Sequence, residues 1–407
     1  MAEQSYDPND FLPTAFQQID TATGRSTTNA LKASRLKLSL TTKLKPVPSP
    51  DSEDLLAHRV CTDHMIVACW TTQHGWDDPE MVPFAPISLS PTASVLHYST
   101  SCFEGLKVHR GFDDKLRLFR PEYNCARMVA SARRVCLPEF NPEELLSLIK
   151  KLCEVDGPKW LPKGRHGESL YIRPTLIGSD SSLGFQVPGE ALLVILLSYW
   201  PASTGPSKGL RLPCSDEDAV RSWPGGTGSA KISGNYAPSL PMQGEARRRG
   251  FDQVLWLFGS EGYITEAGSA NFFTIWRNYE GKLQLVTPPL TDHLILAGVT
   301  RQSILDLAME RFVETARSNY GCEPLEVLEI MLTVSDLQNA SRDGSLLSAF
   351  VVGTACFMQP VVHVQYGEAG INIPEESVPH VSMMRQWMKD IMFGYEENTW
   401  ACEVTDE

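Results

Sequence analysis

"ALLVILLSYW", Ala191 to Trp200, is the longest apolar run in the chain, and it constrains the fold more than any other stretch. Ten residues are too few to cross a bilayer as a helix. The aliphatic density, with Pro and Gly on both sides, suits a strand buried on both faces. Similar strands are expected at "HMIVACW", "KLRLFRP", "SLYIRPTLIG", "FDQVLWLF" and "NFFTIW". Helical patterns alternate with them. "NPEELLSLIKKLCEVDG" offers Asn141 as cap, Pro142 at the first turn and Glu144 placed for a capping box. "TRQSILDLAMERFVETA" carries apolar residues at spacings of three and four. Strand and helix alternate in both halves, so the fold class is α/β.

A chain of 407 residues favours two domains. Residues 1–55 are polar and rich in Pro, Ser and Thr, the texture of a weakly structured leader draped over the body. A smaller N-terminal domain is expected over 56–201, and a Pro/Gly/Ser-rich interdomain loop over 202–213. The larger domain is expected over 214–400.

With 49 acidic and 36 basic side chains the formal charge is −13, which excludes a nucleic-acid binder. The one dense basic cluster, Arg247-Arg248-Arg249, reads as the solvated end of a helix. Ten cysteines form no CxxC pair and no Cys/His set with zinc spacing, so no metal site is expected. Cys69, Cys136 and Cys153 sit in apolar sequence surroundings, which suits a reducing compartment. Glu3, Asp7, Asp10 and Asp20 precede the first arginine, Arg25, and no apolar segment accompanies them. Neither a signal nor a transit peptide fits, so the cytoplasm is expected ahead of the mitochondrion.

"GSAKISGNYAP" holds Lys231, the only lysine between Lys208 and Lys282. Burial or a neighbouring cation makes such an amine nucleophilic, able to condense with an aldehyde. The small neighbours would admit a flat ring, and Tyr236 beyond the Ser233-Gly234-Asn235 turn could bond a phenolic oxygen on it. In "YITEAGSANFF", Glu266 ends a strand before a Gly turn, where a carboxylate could hold a pyridinium nitrogen protonated. In "ILAGVTRQSILDLAMERF", Gly298-Val299-Thr300 opens a helix whose amides and dipole favour a phosphate. Singly, each has an ordinary reading: a half-buried lysine by a loop, a turn acid, a helix start. Together they match the three ends of pyridoxal 5′-phosphate.

The chain resembles the fold-type IV pyridoxal-phosphate enzymes, specifically the branched-chain amino acid aminotransferases. The resemblance runs from "TDHM" at 62–65 almost to the C-terminus. It includes "LHYSTSCFEGLKVHRG", "RLFRPEYNCARM", "SLYIRPTLIGSDSSLG", "WPGGTGSAKISGNYAP", "QVLWLFG", "ITEAGSANFF", "VTPPL", "ILAGVTRQSIL" and "VVGTACF". It implies a smaller N-terminal α/β domain and a larger C-terminal pseudo-barrel. Lys231 is implied as the covalent anchor of the cofactor and its proton shuttle. Glu266 is implied on the ring nitrogen and Tyr236 on the ring oxygen. Arg127, from "NCARM", would grip the phosphate with the Val299 and Thr300 amides, and Ser269 would complete the cofactor set. The substrate carboxylate would meet the Thr354 and Ala355 amides, with Tyr98 and Arg173 assisting, while Phe103 and Tyr171 wall the side-chain pocket. Tyr98 would reach the other subunit's site, implying a homodimer.

The sequence departs from the family near the substrate. Cys61 stands where an aromatic precedes "TDHM". "EAGSAN" replaces "EVGTMN", with Ser269 for Thr and Ala270 for Met. Ala230 and Ser233 flank the lysine block, Phe185 ends "SLGF" in place of "SLGV", and "VVGTA" replaces "GSGTA". One methylene of pocket wall discriminates by about 1–3 kcal/mol, so such changes can re-rank substrates. Cys356 is followed by Phe357, Met358 and Gln359, so the CxxC of some relatives is absent. The expected reaction is transamination of branched-chain or similar apolar L-amino acids with 2-oxoglutarate, giving glutamate. A specialised paralogue with another apolar substrate, a fold-type IV lyase, a D-amino acid or amine transaminase, and a non-catalytic scaffold are the alternatives.

Overall fold

The structure is a computed structural model, and it describes residues 29–49, 52–200, 209–313, 316–375 and 377–405. Most of the 1–55 leader, residues 1–28 and 50–51, therefore lies outside the described residues, as do residue 201 and 202–208 of the expected interdomain loop.

The chain divides into two compact units. One comprises Met1–Ala202, Ala230–Gly234 and Ile391–Glu407, the other Ser203–Ser229 and Asn235–Asp390. This differs from the expected 56–201 and 214–400. Residues 230–234 and the C-terminal segment join the first unit because each pairs with its strands, as shown below.

The first unit is built on β1 (Lys37–Leu38), β2 (Cys61–Thr71), β3 (Gly75–Trp76), β4 (Glu80–Pro83), β5 (Ser101–Phe103), β6 (Leu106–Arg110), β7 (Leu116–Phe119), β8 (Ser169–Gly178) and β9 (Glu190–Trp200). The second holds β10 (Leu210–Pro213), β11 (Leu255–Phe258), β12 (Tyr263–Ala267), β13 (Ala270–Arg277), β14 (Leu283–Thr287), β15 (Leu325–Glu329), β16 (Leu346–Gly353), β17 (Phe357–Tyr366) and β18 (Ala369–Asn372). The last strand, β19 (Ala401–Val404), returns to the first sheet and pairs antiparallel with β7.

In the first sheet the order is β1-β4-β2-β9-β8-β6-β7-β19, with β3 on β2 and β5 on β8. The apolar run at 191–200 is thus a central strand, flanked by β2 and β8. Its Ala191, Leu193, Ile195, Leu197 and Tyr199 are buried. On its other face Leu192, Leu196 and Trp200 are only half-buried. The run reads as covered on both faces because its outer residues are also apolar. Two helices pack on the inner face, α3 (Pro121–Arg134) and α4 (Pro142–Trp160), and share its core through Met128, Leu148, Leu152 and Trp160. Two short helices precede them, α1 (Glu53–Leu56) and α2 (Ser94–Tyr98).

Asn141 does cap α4, accepting the Glu143 N–H at 2.8 Å. Glu144 does not close a capping box. Its carboxylate takes the Ala33 N–H at 2.7 Å and Lys32 Nζ at 2.9 Å. A cationic donor and a backbone amide from the leader outcompete the cap's own N–H, because charge-assisted bonds are the stronger ones.

The second sheet follows β10-β17-β16-β13-β12-β11. A bridge from Cys214 to Leu255 brings its two ends together, so the path closes into a barrel-like ring. Leu210, Leu212, Leu255, Ile264, Phe272, Val351, Val361 and Val364 fill its core. Residues 210–213, expected as loop, are a strand because this closure needs them, parallel to β17. The helices of this unit include α5 (Leu240–Arg248) and α6 (Val299–Arg311). The end of α5 carries Arg247–Arg249 exposed to solvent. Helix α6 stops at Arg311, short of the expected Ala316, and residues 314–315 lie outside the described residues.

All ten cysteines are free. Cys153 is buried as expected, but Cys69 and Cys136 are exposed. Cys69 points off the less-covered face of β2, and Cys136 sits in the turn after α3, so apolar sequence neighbours did not mean an apolar environment. No helix among the described residues is long and apolar enough to cross a membrane.

Candidate active site

Lys231 belongs to the first unit because its segment extends that unit's sheet. The Phe103 N–H donates to the Lys231 carbonyl at 3.1 Å, and Ile232 bridges Cys102 on β5. The Lys231 N–H donates to Ser131 Oγ on α3 at 2.9 Å. Ile232, at 5% exposure, plugs the core beneath. These ties leave a half-buried amine whose Nζ lies 5.2 Å from the centre of the Phe103 ring.

Phe103 also meets the Arg173 guanidinium at 4.6 Å, and Arg173 Nη2 donates to the Tyr171 hydroxyl at 3.1 Å. Tyr171 and Arg173 alternate on β8, so both project from one face. The Tyr171 hydroxyl occupies the space over Gly105, where a Cβ would come within 1.8 Å of it. Lys231, Phe103, Tyr171 and Arg173 are therefore brought together.

Arg127 is buried on α3 and gives two donors to Glu104: Nε to Oε1 at 2.7 Å and Nη2 to Oε2 at 2.8 Å. Burial alone would raise the Glu104 carboxyl. The charge and hydrogen bonds of Arg127, then Lys231 and Asn124, more than reverse this and hold it below its ordinary range. Tyr98 is not part of this group. It ends α2, 37% exposed, donates its hydroxyl to the Leu183 carbonyl at 2.6 Å, and meets the exposed Phe185 edge to face.

The second unit carries the acidic part. Glu266, 1% exposed, lies opposite Asn271 across the β12–β13 hairpin, and Asn271 lies opposite Val352 on β16. Glu266 Oε1 accepts the Leu296 N–H at 3.2 Å and the Asn271 amide at 3.4 Å, and Arg221 forms an ion pair with Oε2. Burying a carboxylate costs several kcal/mol unless a cation and donors accompany it, and this one has both. The same three-strand row ends in Gly353, Thr354 and Ala355, the turn from β16 into β17. Ser269 is exposed at the tip of the hairpin.

Helix α6 starts with buried Val299 and Thr300, and its N-cap, Gly298, supplies no side chain. A Cβ at Gly298 would come within 2.0 Å of Asn271 Oδ1. The first amides of a helix lack intrahelical acceptors, so this end suits an anion. Tyr236 is half-buried after the short helix Ser233–Asn235. Asn235 anchors that turn through Thr227: its Nδ2 donates to the Thr227 carbonyl at 2.8 Å and its Oδ1 pairs with Thr227 Oγ1 at 2.7 Å.

The first unit thus offers an amine, and the second, taken by itself, a buried carboxylate and an uncapped helix start, each a group of the kind that pyridoxal phosphate requires. The residues fit that group. Glu104, Arg221 and Asn271 are the participants that sequence reasoning missed. Glu104 could have been found, since it is a lone acid in the otherwise uncharged stretch "YSTSCFEGL". Arg221 and Asn271 gave no such signal, since their roles come from strand register and long-range packing.

The amino-transferase class IV family matches residues 101–364. The chain is 43% identical to the cytosolic branched-chain-amino-acid aminotransferase of Saccharomyces cerevisiae, over 92% of this chain and 98% of that one. It is 40% identical to the mitochondrial branched-chain-amino-acid aminotransferase of Rattus norvegicus, over 94% of each. Among solved structures it is similar to the branched-chain amino acid aminotransferase of T.th., solved with pyridoxamine 5′-phosphate. That likeness has a TM-score of 0.63 and 25% identity, covering 83% of this chain and 98% of that one.

Proposed function

The chain belongs to the class IV aminotransferases, and on that premise we propose how its residues divide the work of transamination. It is a pyridoxal-phosphate enzyme that moves the amino group of branched-chain L-amino acids. 2-Oxoglutarate is the acceptor and leaves as glutamate. When bound, the cofactor supplies an electron sink for the charge left on the substrate's α-carbon.

Lys231 holds the cofactor covalently, and its Nζ takes the α-proton and returns it. Glu266, ion-paired with Arg221, would accept from the ring nitrogen. Tyr236 bonds the ring oxygen, and Ser269 borders the cofactor. Arg127 and the Val299 and Thr300 amides hold the phosphate. Arg173 and the Thr354 and Ala355 amides hold the substrate carboxylate, and Phe103 and Tyr171 shut water from its side chain. The functional unit is a homodimer in which Tyr98, with the loop around Phe185, reaches the partner's site. The small residues Cys61 and Ala270 extend the accepted donors to larger apolar side chains.

The observation that carries this reading is the pinning of Lys231 to β5, which fixes one half-buried amine beside the Phe103 ring, on which the Arg173 guanidinium also lies. Purified protein should show a visible absorption band that L-leucine bleaches and 2-oxoglutarate restores. Lys231→Ala should keep some cofactor without covalent attachment and lose essentially all turnover. Turnover retained by that variant without added amine would sink the assignment.

A further inference from the structure

Glu104 is fully buried, at 0% exposure, on the connection from β5 to β6. Its own N–H donates to the Pro174 carbonyl at 2.9 Å, so its backbone is fixed. Its two oxygens accept from Arg127 Nε at 2.7 Å, Arg127 Nη2 at 2.8 Å, Asn124 Nδ2 at 2.9 Å and the Gly105 N–H at 3.1 Å. Its sequence neighbour Phe103 holds the Lys231 backbone. One buried carboxylate thus binds one of the two cations that the functional reading gives to the cofactor, and its chain neighbour Phe103 holds the backbone of the other.

We propose that Glu104 is a positioning residue for cofactor binding: it fixes the plane of the Arg127 guanidinium and supplies a buried negative charge shared by Arg127 and Lys231. The proposal rests on the roles assigned to those two cations. A guanidinium is a rigid planar fork, so holding two of its N–H groups on a carboxylate sets where the remaining ones point. A phosphate meeting a pre-oriented fork loses less freedom on both sides. The charge also acts at Lys231, because a nearby carboxylate favours the protonated form of a nitrogen. The depressed carboxyl of Glu104, with Lys231 among its causes, accords with this coupling.

The test compares wild-type and Glu104→Gln full-length protein, stripped of cofactor and titrated with pyridoxal phosphate and separately with pyridoxal. Glutamine keeps the size and one acceptor oxygen but removes the charge. The dissociation constant for pyridoxal phosphate should rise roughly tenfold, the loss of about one charge-assisted hydrogen bond. That for pyridoxal should hold within about twofold, since it lacks the phosphate that Arg127 grips. The pH midpoint of the visible band should fall, because a charge favouring the proton has gone. Equal weakening toward both ligands, or an unmoved midpoint, would show a merely structural carboxylate and overturn the proposal. Should Glu104→Gln fail to fold, Glu104→Asp keeps the charge and withdraws it by one methylene. It should then lose preference for the phosphorylated ligand while keeping most of the midpoint. Unchanged preference there overturns the proposal equally. A wild-type protein with no visible band sinks the functional reading itself, and this inference with it.

Discussion

At the scale of single residues, the first unit buries charges with partners and one imidazole without a matching acid. Glu104 and Arg127 neutralise each other, and removing either from such a buried pair typically costs about 3–5 kcal/mol. His109 on β6 is different. It is 7% exposed, its ring meets Phe393 edge to face at 5.3 Å, and Nδ1 has no hydrogen-bond partner among the described residues. Burial, and secondarily the charge of Lys107, push its pKa down to about 3. The native state therefore keeps His109 neutral, while the unfolded chain takes up a proton as pH falls through about 6.5. Stability from this group is complete above that pH and is lost progressively as pH falls toward the folded value. Each pH unit in that window costs up to about 1.4 kcal/mol. His109→Leu should flatten the decline: urea midpoints at pH 7.5 and pH 5 should differ less in the variant than in wild type. Parallel declines in the two proteins would remove His109 as a source of acid sensitivity.

At the scale of elements, α6 shows how a helix start becomes a binding feature. Gly298 presses against Asn271, which in turn bonds Glu266 and the Leu296 carbonyl. A methyl group at 298 has nowhere to go unless Asn271 swings aside, and its backbone φ of −73° is unstrained, so the clash alone decides the outcome. Gly298→Ala should weaken pyridoxal phosphate binding by about tenfold or more through the displaced amide pair, read by cofactor titration. An unchanged dissociation constant would mean that Asn271 is not part of the cradle. The start of α6 was legible in "AGVTRQ", as were the Glu266 hairpin and the Asn141 cap, because each is written in neighbouring residues. What escaped depends on distant ones. Lys231 joins the first unit through Cys102 and Ser131, Glu144 turns to the leader, and Leu210–Pro213 becomes a strand to close a ring. Local pattern holds no record of such pairings, and the polar texture around 202–213 hid a strand inside an apparent linker.

At the scale of the whole molecule, the described part of the leader is latched to the first unit by the "TDHM" stretch rather than merely lying upon it. The Thr41 N–H donates to His64 Nε2 at 3.0 Å, and the Lys45 N–H donates to Asp63 Oδ1 at 2.7 Å. Lys159 Nζ bonds both the Lys45 carbonyl, at 2.5 Å, and Asp63 Oδ2, at 2.6 Å. Because His64 Nε2 accepts, its proton sits on Nδ1 and goes to Asp156 Oδ1 at 2.6 Å. Asp156 therefore selects the tautomer that can hold Thr41, although it touches nothing in the leader itself. Asp156→Ala removes that selection and leaves a buried imidazole free to turn its N–H toward Thr41, donor against donor. The leader should then detach around 41–47 while the sheet and its helices persist. Trypsin should cut after Lys43 at least several-fold faster in the variant, with cleavage elsewhere unchanged. Equal cutting rates would mean that Asp63, Lys45 and Lys159 suffice to hold the leader, and that the histidine beside them carries no part of the latch.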